Sequence, residues 1–147
     1  NSALTLRFLL NDNLNYNKLL PLSKVKEFFV NLVIAVDSLH RSSIIHRDIK
    51  PENILIDSDG YLKLIDLGLS KKLKKNYTCT ILGSPYYMSP EQVKGSSYNK
   101  SADYWGIGVI LFEMLYGYNP FKRKNDVSTV DIYSRIIAHE EVYFPEN

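Results

Sequence analysis

Two short apolar runs constrain this chain more than any other feature. Ile54-Leu55-Ile56 and Tyr61-Leu62-Lys63-Leu64-Ile65 are joined by Asp57-Ser58-Asp59-Gly60. Apolar runs of this length around a turn of Asp, Ser and Gly specify a β-hairpin. Polar residues crowd both of its outer ends. His46-Arg47-Asp48-Ile49-Lys50-Pro51-Glu52-Asn53 leads in, and Asp66-Leu67-Gly68 leads out. The hairpin therefore gathers an acid, a lysine, an asparagine and a second acid in one place. A calcium loop at Asp57 and Asp59 is the alternative reading of the turn, but it lacks the downstream glutamate that such a loop requires.

Helical spacing governs much of the rest. Leu4 to Leu10 reads as a short apolar helix, and Asn11 to Leu22, polar and ending near Pro21, reads as a loop. Ser23 is placed to cap a helix running to about Arg41. Its core stripe is Val25, Phe28 or Phe29, Leu32, Val36 and Leu39. The period breaks from Ser42 to Asn53, and Ser70 to Pro90 carries none. A loop as long as the latter is usually functional or disordered. Ser101 to Gly117 is apolar nearly all round except Asp103 and Glu113, so a helix buried on every side is expected there. A last helix spans about Val130 to His139, before Phe144-Pro145.

Bulk properties exclude several function classes. A length of 147 residues suits one domain or part of one. A net charge of +2 is too small to argue for nucleic-acid or membrane-surface binding. The most apolar run, Ile107 to Leu115, is too short to span a bilayer. No basic stretch followed by an apolar run marks a signal peptide. Cys79 is the single cysteine, which excludes a disulfide framework within the chain and fits a reducing, cytoplasmic setting.

The motifs then combine. His46-Arg47-Asp48, Lys50 and Asn53 are followed by Asp66-Leu67-Gly68, Ser89-Pro90-Glu91 and Asp103-Tyr104-Trp105-Gly106-Ile107-Gly108. In order and spacing this set resembles the catalytic domain of eukaryotic protein kinases, over essentially the whole chain. The resemblance implies an α+β parent fold. Residues 1–147 would be a partial kinase domain, the mainly α-helical C-terminal lobe with its short catalytic hairpin. The glycine-rich loop, the strand lysine and its partner glutamate belong to an N-terminal lobe expected before Asn1. The last helices of the C-terminal lobe, which normally supply an arginine for Glu91, are expected after Asn147.

The resemblance also assigns roles. Asp48 would be the catalytic base and Lys50 would offset charge on the transferred phosphate. Asn53 and Asp66 would hold magnesium, or manganese, beside the phosphates of ATP. Leu55, with Leu4 nearby, would floor the adenine. His46 and Leu67 would join the apolar stack that aligns the lobes, with Leu67 where the family usually has Phe. Asp103 would hold backbone N–H groups of the catalytic loop. Thr80 is the candidate regulatory phosphosite, docking on Arg47 and Lys71, with Thr78 as fallback. Lys71, Lys72, Lys74 and Lys75 otherwise form a solvated face, and Cys79 an exposed thiol.

Ser84-Pro85 resembles the segment that cradles a substrate serine or threonine, and with Lys50 it implies Ser/Thr specificity. Glu52 and Glu113 match two acids that, in the AGC group, bind an arginine upstream of the acceptor. The expected partners are thus protein or peptide substrates with upstream Arg or Lys, together with ATP. Gly83 to Met88, Asp103-Tyr104-Trp105 and Ile132-Tyr133 with Phe144-Pro145 are most similar to cGMP- or cAMP-dependent kinases, which points to cGMP acting through a domain outside this chain. His46 departs from close relatives that have tyrosine there. A calcium/calmodulin-group kinase and a pseudokinase or scaffold are the alternatives.

The isolated chain is expected to be poorly soluble or to pair with a partner, because the helix from Tyr104 to Leu115 loses part of its cover. It is also expected to transfer no phosphate at a useful rate. ATP turnover by this segment alone, abolished by Asp48→Asn, would contradict the second expectation, and sharp cooperative melting of a pure monomer the first.

Overall fold

The computed structural model describes residues 4–15, 18–73, 77–138 and 142–144. The expected hairpin is its organising element. β3 (Ile54–Ile56) and β4 (Leu62–Leu64) pair antiparallel, with Ile54 opposite Leu64 and Ile56 opposite Leu62. Asp57 closes the turn, its carboxylate accepting the N–H groups of Asp59 (3.0 Å) and Tyr61 (2.9 Å). That use of Tyr61 ends the strand one residue short of the expected start.

The amino-terminal segment departs from expectation in both halves. Leu4–Thr5 is a strand, β1, which pairs with β3 and completes a three-stranded sheet in the order β1-β3-β4. α1 (Leu6–Asn15) follows at once, so the helix starts later than Leu4 and runs through half of the expected asparagine-rich loop. Leu6 and Leu10, four apart, are both buried and pin one face of α1 to the core. Asn13 is tolerated because its side-chain amide donates to the Leu9 carbonyl at 2.9 Å rather than competing with the helix. Tyr16 and Asn17 lie outside the described residues.

α2 (Leu22–Arg41) buries Val25, Phe28, Leu32, Val36 and His40, so His40 rather than Leu39 ends the core stripe. The expected Ser23 cap does not form. Pro21 occupies the cap position without a side-chain bond, and its carbonyl accepts the N–H groups of Lys24 (2.9 Å) and Val25 (3.0 Å).

Two segments read as loops contain pairing that only the tertiary structure creates. β2 (Ile44–Ile45) pairs antiparallel with β5 (Lys71–Lys72), and Thr78 bridges to Tyr98. Ile45, Leu73, Tyr98 and Ala102 form a small second cluster around these links. Farther on, Pro85–Tyr87 forms a 3-10 turn and α3 (Pro90–Val93) a short helix. Ser89 and Gln92 cap α3 reciprocally, side chain to backbone in both directions, an S-x-x-Q box legible in the sequence but not read there. Lys74 and Lys75 lie outside the described residues.

α4 (Ser101–Tyr116) stops at Gly117, which is left-handed at φ 79°. It is not buried on every side. Ser101, Tyr104 and Gly108 form an exposed stripe, while Ile107, Ile110 and Met114 face the main core with Leu32 and Val36 of α2. α5 (Thr129–Ala138) buries Ile132 and Ile136 against the same core. Its expected last residue, His139, and Pro145 lie outside the described residues. The architecture is mainly helical with small sheets, as expected. Among the described residues no helix is long and apolar enough to cross a membrane.

Ile110 is fully buried where α4 meets this core. Ile110→Ala should lower unfolding free energy by about 2–5 kcal/mol, read as a shift of the urea midpoint at constant slope. A loss well under ~1 kcal/mol would mean that this side chain is not packed as described.

Candidate active site

Two non-glycine residues with left-handed backbone frame the hairpin: Arg47 at φ 71° before it and Asp66 at φ 60° after it. Such conformations cost roughly 1–3 kcal/mol each and persist only where neighbours enforce them. At Arg47 the enforcing group is Asp103, in the first turn of α4. Its carboxylate accepts the backbone N–H groups of His46 and Arg47, both at 2.9 Å, and contacts His40 Nε2 at 2.8 Å. Asp103 is 1% exposed, so these bonds replace the solvation it has lost. Glycine at 106 lets the loop lie flat on α4, since a β-carbon there would meet Ile49 at 3.0 Å. His46 is fully buried. Its Nδ1 accepts the Asp48 N–H at 3.3 Å, which assigns the ring proton to Nε2, 3.1 Å from the Ile65 carbonyl. One side chain thus ties the loop before the hairpin to the strand leaving it.

Asp48 sits at the centre of a hydrogen-bonded cluster. Lys50 Nζ lies 2.8 Å from its Oδ2, and Asn53 Nδ2 donates to the same oxygen at 3.1 Å and to the Asp48 carbonyl at 3.0 Å. Ser84 N–H donates to Oδ1 at 2.9 Å, and Lys50 donates to Ser84 Oγ at 2.8 Å. Burial pushes the Asp48 carboxyl up, but the bonds from Lys50 and Ser84 outweigh it and hold the group below its ordinary value.

Asn53 and Asp66 are brought together by the hairpin. Ile65, the neighbour of Asp66, donates its N–H to the Asn53 carbonyl at 2.9 Å. The Asn53 amide nitrogen is committed to Asp48, which leaves its oxygen as the ligand atom. Asp66 is exposed and spends one oxygen on the Gly68 N–H at 3.1 Å. Among the described residues no three acidic, His or Cys side chains form a metal cluster. An amide and a carboxylate fit magnesium, which usually takes one or two protein carboxylates and completes its shell with phosphate oxygens and water.

Leu55 alternates away from buried Ile54 and stays half-buried on the outer face of the sheet, with its partners Thr5 and Lys63, whereas Leu4, opposite Ile56 and 44% exposed, stands on the other face. The expected stack is only half formed. His46 is buried, whereas Leu67 is 50% exposed and not enclosed by this chain.

The segment after the hairpin docks through Gly83. Its φ is 128°, and a β-carbon there would meet the Arg47 carbonyl at 2.7 Å. This close approach delivers Ser84 to Asp48, with Pro85 opening the 3-10 turn behind it. Arg47 Nε donates to the Leu69 carbonyl at 2.6 Å. Thr80 and Cys79 are exposed. Lys71 reaches Thr78 at 3.0 Å rather than Thr80. Thr78 is buried at 4% exposure, so the fallback phosphosite is inaccessible in this conformation. Glu91 sits half-buried in the first turn of α3.

The two acids Glu52 and Glu113 meet at one point, and a residue not singled out in the sequence lies between them. Arg7 donates to Glu52 Oε1 at 2.8 Å and to Glu113 Oε2 at 3.3 Å, and also contacts the Tyr87 hydroxyl. Tyr87 in turn donates to Glu113 at 2.9 Å. Burial raises the Glu113 carboxyl above its ordinary value, with Arg7 and Tyr87 opposing. The available signal for Arg7 was its position as the only charge in the apolar run Leu4 to Leu10.

A family profile described as the protein kinase domain matches residues 5–146. The chain is 41% identical over 121 residues to a cAMP-dependent protein kinase catalytic subunit of Schizosaccharomyces pombe, covering 82% of this chain and 23% of that protein. It is 37% identical over 168 residues to a probable serine/threonine-protein kinase of Dictyostelium discoideum, covering 90% and 36%. Against the cAMP-dependent protein kinase type 3 of Saccharomyces cerevisiae it is 41% identical over 125 residues, covering 85% and 30%. The chain therefore spans between about a quarter and a third of the length of these relatives.

Because the Asp48 carboxyl is held low, its contribution to stability is present above the unfolded value near pH 4 and is lost as pH falls through the lower folded value. Urea titrations across that window should show a shallower acid limb in Asp48→Asn than in the wild type. Superimposable limbs would remove Asp48 from the set of ionised, bonded groups. Gly83→Ala should destabilise the protein by more than ~1 kcal/mol in the same assay, since it adds strain and a backbone clash at once. A neutral effect would mean that the segment does not dock on Arg47.

Proposed function

The chain belongs to the protein kinase family, and we propose that it carries the phosphoryl-transfer centre of a serine/threonine kinase. The observation that carries this reading is the Asp48 cluster, in which Lys50, Asn53 and Ser84 all bond the same aspartate. ATP is the donor substrate and a serine or threonine hydroxyl of a protein the acceptor.

In this reading Asp48 accepts a hydrogen bond from the substrate hydroxyl and aims its oxygen at the γ-phosphorus. A carboxylate held below its ordinary value is a weak base, so it orients the hydroxyl first and takes the proton as the new O–P bond forms and the bond from the γ-phosphorus to the bridging β-phosphate oxygen breaks, leaving ADP. Lys50, bridging Asp48 and Ser84, is positioned to turn toward the charge on the transferred phosphoryl group. Asn53 and Asp66 would hold a magnesium ion, which would supply charge neutralisation for the phosphate oxygens. Leu55 supplies the apolar floor for the base. Ser84-Pro85, fixed beside Asp48, places the acceptor residue, and Glu52 with Glu113 supplies the site for an upstream arginine.

The exposed hydroxyl of Thr80 makes it the regulatory phosphosite of this reading, with Arg47 and Lys71 as the cations that turn to meet it. The similarity to cAMP-dependent catalytic subunits supports a cyclic-nucleotide-dependent branch, and the segments that favour cGMP make that nucleotide the messenger to try beside cAMP.

Phosphate transfer from ATP to an arginine-containing serine peptide, measured on the full-length protein with cGMP, with cAMP and with neither, tests the proposal. Transfer that rises with cGMP and disappears in Asp66→Asn is the expected result. A response to cAMP alone moves the messenger. Transfer unaffected by either keeps the kinase and removes the branch, and no transfer at all overturns the enzyme reading.

A further inference from the structure

We infer that Arg7 is a specificity-determining residue, an internal guanidinium that occupies the carboxylate pair meant for a substrate arginine and weakens this kinase's preference for basic peptides. The inference rests on the reading above that Glu52 and Glu113 form the upstream arginine site.

The geometry is that of guanidinium recognition. Nε of Arg7 faces Glu52 at 2.8 Å and Nη2 faces Glu113 at 3.3 Å, so one planar fork joins both acids. The pair opens on a cleft of about 670 Å³ that Tyr87, Asn119 and Lys122 also line. An incoming arginine would find both of its acceptors engaged.

Three physical facts make Arg7 an effective competitor. Glu113 is 5% exposed, and a carboxylate so enclosed is costly without a counter-ion, so the chain gains by supplying one. Arg7 stands in the first turn of α1, beside fully buried Leu6, so it returns to the acids from a fixed base. A tethered group acts at an effective concentration of roughly millimolar, which a substrate peptide must exceed in affinity to displace it. Arg7 is also displaceable. It is 28% exposed and Glu52 is 47% exposed, so the side chain can swing into the cleft. The attractive site and the element that opposes it therefore lie in the same few residues.

The test uses the full-length protein and two serine peptides that differ only in having arginines or alanines before the acceptor. Calorimetry gives the dissociation constant of each, and phosphate transfer is followed separately. Arg7→Ala should raise the preference for the arginine peptide about tenfold, equivalent to ~1.4 kcal/mol, through tighter binding of that peptide alone. Arg7→Lys keeps the charge but cannot bridge both acids, and should shift the preference in the same direction, which keeps the test decisive if the alanine variant does not fold. An unchanged or reduced preference in the folded variant overturns the inference even if transfer is normal. A raised preference in a protein that transfers no phosphate leaves the inference standing and overturns the enzyme reading instead.

Discussion

The carboxylate of Asp103 is the interaction on which the rest of the site depends. It is almost completely buried and carries a charge that must be matched inside the protein. The match consists of backbone N–H groups from His46 and Arg47 together with His40 of the preceding long helix. These bonds hold Arg47 in a left-handed conformation that the residue would otherwise avoid. Asp48, the next residue, is buried and bonded by Lys50, Asn53 and Ser84. A helix start, a strained loop and the Asp48 carboxylate are thereby one mechanical unit.

Around Asp48 the protein invests in order. Two chain segments donate to it: the loop entering the hairpin through Lys50 and Asn53, and the later segment through the Ser84 amide. Each bond shortens the list of orientations open to the carboxylate, which favours positioning over proton affinity. The same bonds couple the segment after the hairpin to the centre. Loss of the close approach at Gly83 would withdraw Ser84 and leave Lys50 with one partner fewer.

The acidic subsite follows a different logic. Here the enclosed carboxylate of Glu113 is matched by side chains, Arg7 and Tyr87, rather than by backbone amides. Backbone partners are permanent, whereas an arginine on a four-bond tether can leave. Under the proposed reading, the Asp48 centre keeps its shape with the first kind of partner and the upstream-arginine site exchanges partners with the second.

The sequence by itself determined the hairpin, the long helices and the identity of the polar residues at the hairpin's ends, because periodicity and turn chemistry are local properties that single residues carry. Membership of the kinase family was legible for the same reason, as motifs in order. What only the tertiary structure decided were the relations between distant residues. The strand at Leu4–Thr5 exists because β3 offers an edge to it, and the pairing of Ile44–Ile45 with Lys71–Lys72 has no signal in either dipeptide. The exposed stripe on α4 depends on which neighbours the helix has, not on its own composition. Arg7 between Glu52 and Glu113 closes contacts 45 and 106 residues apart, and no local pattern encodes a salt bridge of that span. Charge attraction acts through space, so its partners are chosen only when the fold has placed them.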